Sequence, residues 1–437
     1  MKKVLFVMCG VLLAAAVSAA ELYVSQSTGK KKGPGTKEAP FKTINDAVKK
    51  AKPGDTIYIA AGNYTGKMGA SEIIIDKPVT LVGGFAPDFS VRDIAKYPAL
   101  IQPKNEKNDT KGIGLLTLQL PKGPGPDMVI DGLVIDQSYM NSYHTIKGKP
   151  EGVETGMWLE PPAKGANDKF ASAKSYSIYC DIGGGRYYYE GNIVVQNCVI
   201  SNAGNFGINI HLYKGTVKIL NNVFVACRME SCEVSCANVQ PSVECEFAYN
   251  TVLFTWSRTS EMTDMGYGFR CLTKVASNIH HNIFGLNVFT GVGNDKGDAK
   301  SKKIKLDNNV FFLNKKSDVT AVKSPNILHL NVGTDEFEDL GEFPGMESCE
   351  GNIALKDPAA FKGIINEAYL KAFLTATYSE KTDYDPNSPA NVFRSALGLN
   401  QRGTIQTKVS MYGNRYPLAE TFKLFGAYKD YGAQLVK

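Results

Sequence analysis

The chain has 437 residues, with 49 lysines and arginines against 43 aspartates and glutamates, a formal net charge of +6. So small a surplus, with no long basic block and no nucleic-acid motif, argues against DNA or RNA as the partner. There is no HExxH or CxxC pattern to suggest a metal-centred fold, and 43% hydrophobic residues are enough for a sizeable core.

In chain order, residues 1–20 read as an export signal. Lys2 and Lys3 precede an apolar run from Val4 to Val17, and Ser18-Ala19-Ala20 supplies small residues for cleavage. The run is short for a bilayer span and Glu21 opens a polar sequence. No retained transmembrane anchor is expected, and the mature chain is expected to be secreted or periplasmic. Cysteines cluster further along the chain. In an oxidising compartment some could pair, Cys227–Cys232 first among them, but the favoured reading is small apolar side chains in a core.

Next, Phe41, Ile44, Val48 and Ala51 share one helical face, and Lys52-Pro53-Gly54 ends that helix. Asp55-Thr56-Ile57-Tyr58-Ile59 then begins a strand, followed by strands near Ile73–Ile75 and Val79–Val82. From residue 193 onward one pattern recurs, an alternating stretch, a polar residue with Asn, then a short apolar run. It appears around Asn197, Asn222, Asn250, Asn282 and Asn309, at intervals of 25 to 32 residues, with an earlier version at Gly132.

That interval suits one turn of a three-sided solenoid, with three short strands and their corners per coil. The Asn is expected at a tight corner, in left-handed backbone, bonding along the stack as a ladder. The expected fold is all-β, a right-handed parallel β-helix over residues 21–355 with the amphipathic helix capping its N-terminal end. Residues 137–191 are expected to form a loop insertion, and 356–437 an irregular C-terminal cap packed on the solenoid.

Gly35-Thr36, Pro40-Phe41-Lys42-Thr43-Ile44, Ala47-Val48, Pro53-Gly54-Asp55-Thr56-Ile57 and Gly62-Asn63-Tyr64 resemble the opening of pectate-lyase-like β-helix proteins. Asp357-Pro358 to Phe361 and Asn387-Ser388-Pro389 resemble the end of such domains, so the resemblance brackets most of the mature chain. It implies the fold. One fold hosts lyases, hydrolases and non-catalytic surface proteins, and the polygalacturonase residue set is absent here.

The resemblance also implies an acidic polysaccharide as partner and lyase chemistry that often uses Arg or Lys as base and Ca²⁺ as carboxylate neutraliser. Strand register puts Asn209 and His211 outward on one coil, Glu233 and Ser235 on the next and Arg270 on the one after. Intervening loops add Arg228, Glu230, Arg258, Glu261 and Asp264. The expected roles are Arg270, Arg258 and His211 in catalysis, Arg228 and Asn209 in substrate binding, and Glu233, Glu261 and Asp264 around Ca²⁺. Trp158 and Tyr143, from the aromatic-rich insertion, are expected to stack on sugar rings.

The leading expectation is therefore a secreted, monomeric lyase that cleaves a uronic-acid-containing glycan by β-elimination. Two alternatives stay open. One is a non-catalytic surface or adhesion protein that binds glycan or a protein partner. The other is a glycoside hydrolase built on paired carboxylates.

Overall fold

The computed structural model describes residues 19–66, 72–103, 114–137, 176–201, 203–225, 227, 229–255, 266–272, 274–287, 289–294, 303–312, 314, 317–323, 328–332, 340–341, 343, 345–355, 395 and 430–436. Among them, strands are threaded into three long sheets of ten, nine and nine strands. Each coil contributes one strand to each sheet. In one such coil Phe206–Leu212 lies in the third sheet, Gly215–Leu220 in the first and Val223–Val225 in the second. Neighbouring coils pair in parallel throughout, and the single antiparallel pairing within these sheets joins Ser317–Lys323 to Leu328–Val332 at the far end of the third sheet. This is a right-handed parallel β-helix.

The capping helix spans Ile44–Lys50. Thr43 accepts from the Asp46 N–H to satisfy its first turn, and Ile44, Ala47 and Val48 bury their side chains against the solenoid interior. Inside the coils, Phe247, Phe284 and Phe311 stack at centroid separations of 6.0 and 5.3 Å, with Phe269 4.6 Å from Phe247. A solenoid repeats each side-chain position every coil, so like rings meet like rings.

The corner between the first and second sheets carries the asparagine ladder, with one correction to the expected register. The row is Cys198, Asn222, Asn250, Asn282, Asn309 and Asn352, buried as far as Asn309. Each main-chain N–H donates to the next Asn Oδ1, from Cys198 to Asn222 at 2.9 Å through Asn309 to Asn352 at 3.0 Å. The left-handed residue is the one before it: Asn197, Asn221, Tyr249, His281 and Asn308 have φ of 53 to 56°. Asn197 therefore aligns with Asn221, whose Nδ2 donates to Asn197 Oδ1 at 2.7 Å, and Cys198 takes the ladder position. A second, shorter ladder sits at the corner leaving the second sheet. There the Thr255 N–H donates to Asn287 and the Asn287 N–H to Asn314.

Among the described residues Cys227 and Cys232 form no disulfide with each other, and six of eight cysteines are buried. They behave as the small core side chains expected. Within 137–191, the expected loop insertion, Tyr176–Cys180 is a strand of the third sheet, paired with Gly114–Leu118 and Phe206–Leu212. Further along the same sheet lies the strand Thr290–Asn294. At the C-terminal end, residues 430–436 lie on the ladder corner: the Gly432 N–H donates to His281 O at 2.8 Å and Asn221 Nδ2 to Gln434 O at 2.9 Å.

Candidate functional site

On a regular strand, residues three apart face opposite sides. The strand Glu230–Cys236 breaks that rule near its start. Ser231 turns inward, its Oγ 2.6 Å from Thr255 Oγ1, and Cys232 is also in the core. The neighbouring coils carry glycine at the same step. A Cβ on Gly207 would come 2.4 Å from Ser231 O, and one on Gly268 2.5 Å from Gly291 O, so only the smallest residue fits beneath. Because two successive residues face in, Glu230 and Glu233 both face out.

The outer face of the third sheet thereby gathers one row running Tyr179, Asn209, Glu233, Arg270 through directly paired positions of four coils. Asn209 Nδ2 donates to Glu233 Oε1 at 2.9 Å. Arg270 Nη1 lies 2.5 Å from Glu230 Oε1 and 3.5 Å from Glu233 Oε2. The guanidinium also sits 5.4 Å from the centroid of the Tyr267 ring, a cation–π contact. On the next outward row, the Ser235 hydroxyl bonds His211 Nδ1, and Tyr179 meets the imidazole edge-on at 5.9 Å. Tyr176 stacks on Tyr179 at 4.9 Å and meets Phe206 edge-on.

Burial sets the charge states. Glu230 is 1% exposed, and desolvation, with Glu233 beside it, raises its pKa well above the ordinary carboxylate value against the opposing pull of Arg270. Burial lowers the His211 pKa, with Glu233 and Asp181 pulling the other way, so its imidazole is neutral at pH 7. Burial also pushes the Tyr179 phenol up to about 12 and raises that of Tyr176.

The structure thus brings together Asn209, His211, Glu233 and Arg270, four of the residues the sequence singled out. Arg228, Arg258, Glu261, Asp264, Trp158 and Tyr143 lie outside the described residues. Glu230, expected in a loop, is the first residue of a strand and the most deeply buried acid of the cluster. Tyr176 and Tyr179 were legible as aromatics of the insertion but not as strand residues. The alternation signal that could have placed them is only five residues long.

Two expected roles meet resistance from this geometry. Two carboxylates hold Arg270 in its protonated form, the opposite of what a general base needs. Both oxygens of Glu233 are engaged, one by Asn209 and one by a cation, which leaves this carboxylate poorly suited to Ca²⁺. Among the described residues no group of three or more His, Cys, Asp or Glu could hold a metal ion.

Residues 27–88 match a family described as "Protein of unknown function (DUF1565)". No curated protein matches the chain. Among solved structures, the chain is similar to pectin methylesterase PemA from Erwinia chrysanthemi at 10% identity, with 78% of this chain and 94% of that one covered and a TM-score of 0.33. It is similar to pectate lyase Pel9A at 12% identity, covering 86% and 96%, with a TM-score of 0.35. A lacto-N-biosidase from Eubacterium ramulus matches at 11% identity over 76% and 67%, with a TM-score of 0.29. Likenesses this distant transfer no residue, substrate or activity, and the fold rests on the strand pairing described above.

Proposed function

We propose that the chain is an exported carbohydrate-active protein that takes a uronic-acid-containing glycan on the outer face of its third sheet and cleaves it by β-elimination. The observation that carries this reading is the coil-to-coil row Tyr179–Asn209–Glu233–Arg270, with neutral His211 on the adjoining row. Coils stack about 4.8 Å apart, so the row spans about 14 Å, the length of about three sugar rings.

Each group then has a task. Tyr176 and Tyr179 offer ring faces and edges to a pyranose and Ser235 a polar contact, while Asn209, buried beneath them, holds Glu233 in place. Burial raises the Glu230 pKa, which favours its neutral form and lessens the repulsion that an incoming carboxylate meets beside Arg270 and Glu233. That carboxylate competes with Glu233, the more distant of the two Arg270 partners, for the guanidinium. The charge so stabilised is the one that grows on the carboxylate as the C5 proton leaves. His211, its Nδ1 engaged by Ser235, takes that proton on Nε2. The C–H electron pair becomes the C4–C5 double bond, the C4–O bond breaks, and water protonates the departing oxygen.

One observation favours a second reading, glycoside hydrolysis: two adjacent carboxylates, Glu230 and Glu233, with the pKa of one raised. Purified protein incubated with pectin, alginate and glycosaminoglycan substrates separates the two. Elimination yields an unsaturated, ultraviolet-absorbing end and hydrolysis yields reducing ends without it. The expected result is ultraviolet product that disappears in His211→Ala and falls at least about tenfold in Arg270→Met. Reducing ends without absorbance would replace elimination with hydrolysis. Binding without either product would leave a non-catalytic glycan-binding protein.

A further inference from the structure

A different face of the solenoid carries a second charged groove. It lies on the outside of the first sheet, over the strands Gly215–Leu220, Val243–Ala248, Val275–His280 and Lys303–Asp307. Two adjoining hollows of about 460 and 560 Å³ share Thr216, Glu244, Ala276 and Lys303. Thr216, Glu244, Ala276 and Lys303 are also directly paired positions of four successive coils, so the hollows form one trough crossing the strands. Small residues make its floor, and longer side chains make its walls.

Lysine dominates those walls. Lys214 and Lys274 sit at the corner before their strands, two coils and so about 10 Å apart, and Lys218, Lys303 and Lys305 project from the sheet itself. Against these five stand Glu244, Glu246 and Glu347. The ion pairs present are loose: Lys218 to Glu246 and Lys303 to Glu347 are each 3.8 Å, with the lysines 47% and 69% exposed. Exposed pairs at that distance contribute little, so the Lys218 and Lys303 ammonium groups can turn to a ligand at small cost, while Lys274 Nζ donates to Asn238 O at 3.1 Å. Beside Lys214, Tyr213 stacks on Tyr188 at 4.6 Å and 16°, both half-buried.

We infer that this trough on the first sheet is a second glycan-binding surface, which takes a linear anionic polysaccharide across the coils. Lysines interleaved with carboxylates suit a polymer whose single charges are separated by hydroxyls. The lysines meet the charges, and Glu244 and Glu246 accept from the hydroxyls. A phosphodiester chain, with a charge at every unit and few donors, would be repelled by those same glutamates. The Tyr188–Tyr213 stack offers an apolar surface for the C–H face of one ring at the corner. The trough is distinct from the third-sheet face, and the inference stands whether or not that face is catalytic.

Polygalacturonate is the probe, with binding to the intact protein measured by calorimetry at low and at moderate salt. The expected result is binding that weakens as salt rises and falls at least about tenfold in Lys303→Glu/Lys305→Glu and in Lys214→Glu/Lys274→Glu. Glu244→Gln is expected to tighten it, a gain that loss of folding cannot mimic. The inference is overturned if the wild-type protein does not bind the polymer at low salt, or if the charge reversals leave binding intact. It is also overturned if fully methyl-esterified polymer, or a DNA duplex, binds as tightly.

Discussion

Arg270 reaches back one coil to Glu230, Nη1 to Oε1 at 2.5 Å, so a guanidinium 23% exposed covers a carboxyl that is almost wholly buried. Taking both groups out of water costs several kcal/mol, and only close geometry offsets it. Arg270→Met would leave Glu230 and Glu233 facing each other without a cation. At neutral pH this variant is expected to lose about 3–5 kcal/mol of stability. The loss should shrink at acid pH, where Glu230 keeps its proton, and urea unfolding at two pH values checks it.

Glu230 also makes stability depend on pH. Its folded pKa lies above that of the unfolded chain, so the folded state binds the extra proton. Stability is therefore fully present below the ordinary carboxylate value near 4.5 and is lost as pH rises toward the raised one. Asp318 acts in the same sense between its ordinary 3.8 and about 7, because burial raises its pKa against the opposing pull of the Asn314 amide, which donates to it at 2.8 Å. Glu230→Gln and Asp318→Asn are each expected to flatten the melting-temperature profile over these ranges. A profile as steep as that of the wild type would show that neither carboxyl is buried as described.

The Asn250 side chain reaches back to three groups of the preceding coil. It accepts from the Asn222 N–H at 2.9 Å and Nδ2 at 3.1 Å, and donates to Ile219 O at 2.8 Å. Asn250→Ala would strand all three in the core. At about 1–3 kcal/mol for each buried group left unsatisfied, it is expected to cost at least about 3 kcal/mol. Asn197→Ala, at the half-buried left-handed position, is expected to cost far less. Comparing the two by chemical denaturation tests the register of the ladder directly.

The thiols offer a test that needs no variant. Cys180, Cys198, Cys227, Cys232, Cys245 and Cys271 are buried, and burial pushes Cys198 and Cys227 up to about 12, whereas Cys236 and Cys349 are partly exposed. A thiol reagent is expected to modify at most the last two in the native protein and all eight after unfolding. Fewer reactive thiols in denaturant without reductant would reveal a disulfide.

Much of the site was within reach of the sequence, and what escaped did so for identifiable reasons. Asn209, His211, Glu233 and Arg270 follow from simple alternation about core residues such as Ile208, Ile210 and Val234. Glu230 did not, because alternation fails at Ser231, and nothing local announces that a serine will turn inward to reach Thr255 one coil away. Asn197 looked like a ladder residue because Asn-Asn at 221–222 offers two registers one residue apart. The choice between them is made by the bond from the Cys198 N–H to Asn222.

By itself the sequence determined the architecture. A repeat of one coil length, read in an unbroken register, leaves few other ways to bury its apolar residues, and the capping helix follows from its own spacing and cap. Tertiary structure alone decided which polar residues meet. In a parallel β-helix, neighbours across the stack are some 24 to 43 positions apart in the chain. Loop lengths between coils vary, so no local pattern counts off that distance. The Arg270–Glu230 contact and the lysine trough of the first sheet exist only once the coils have stacked.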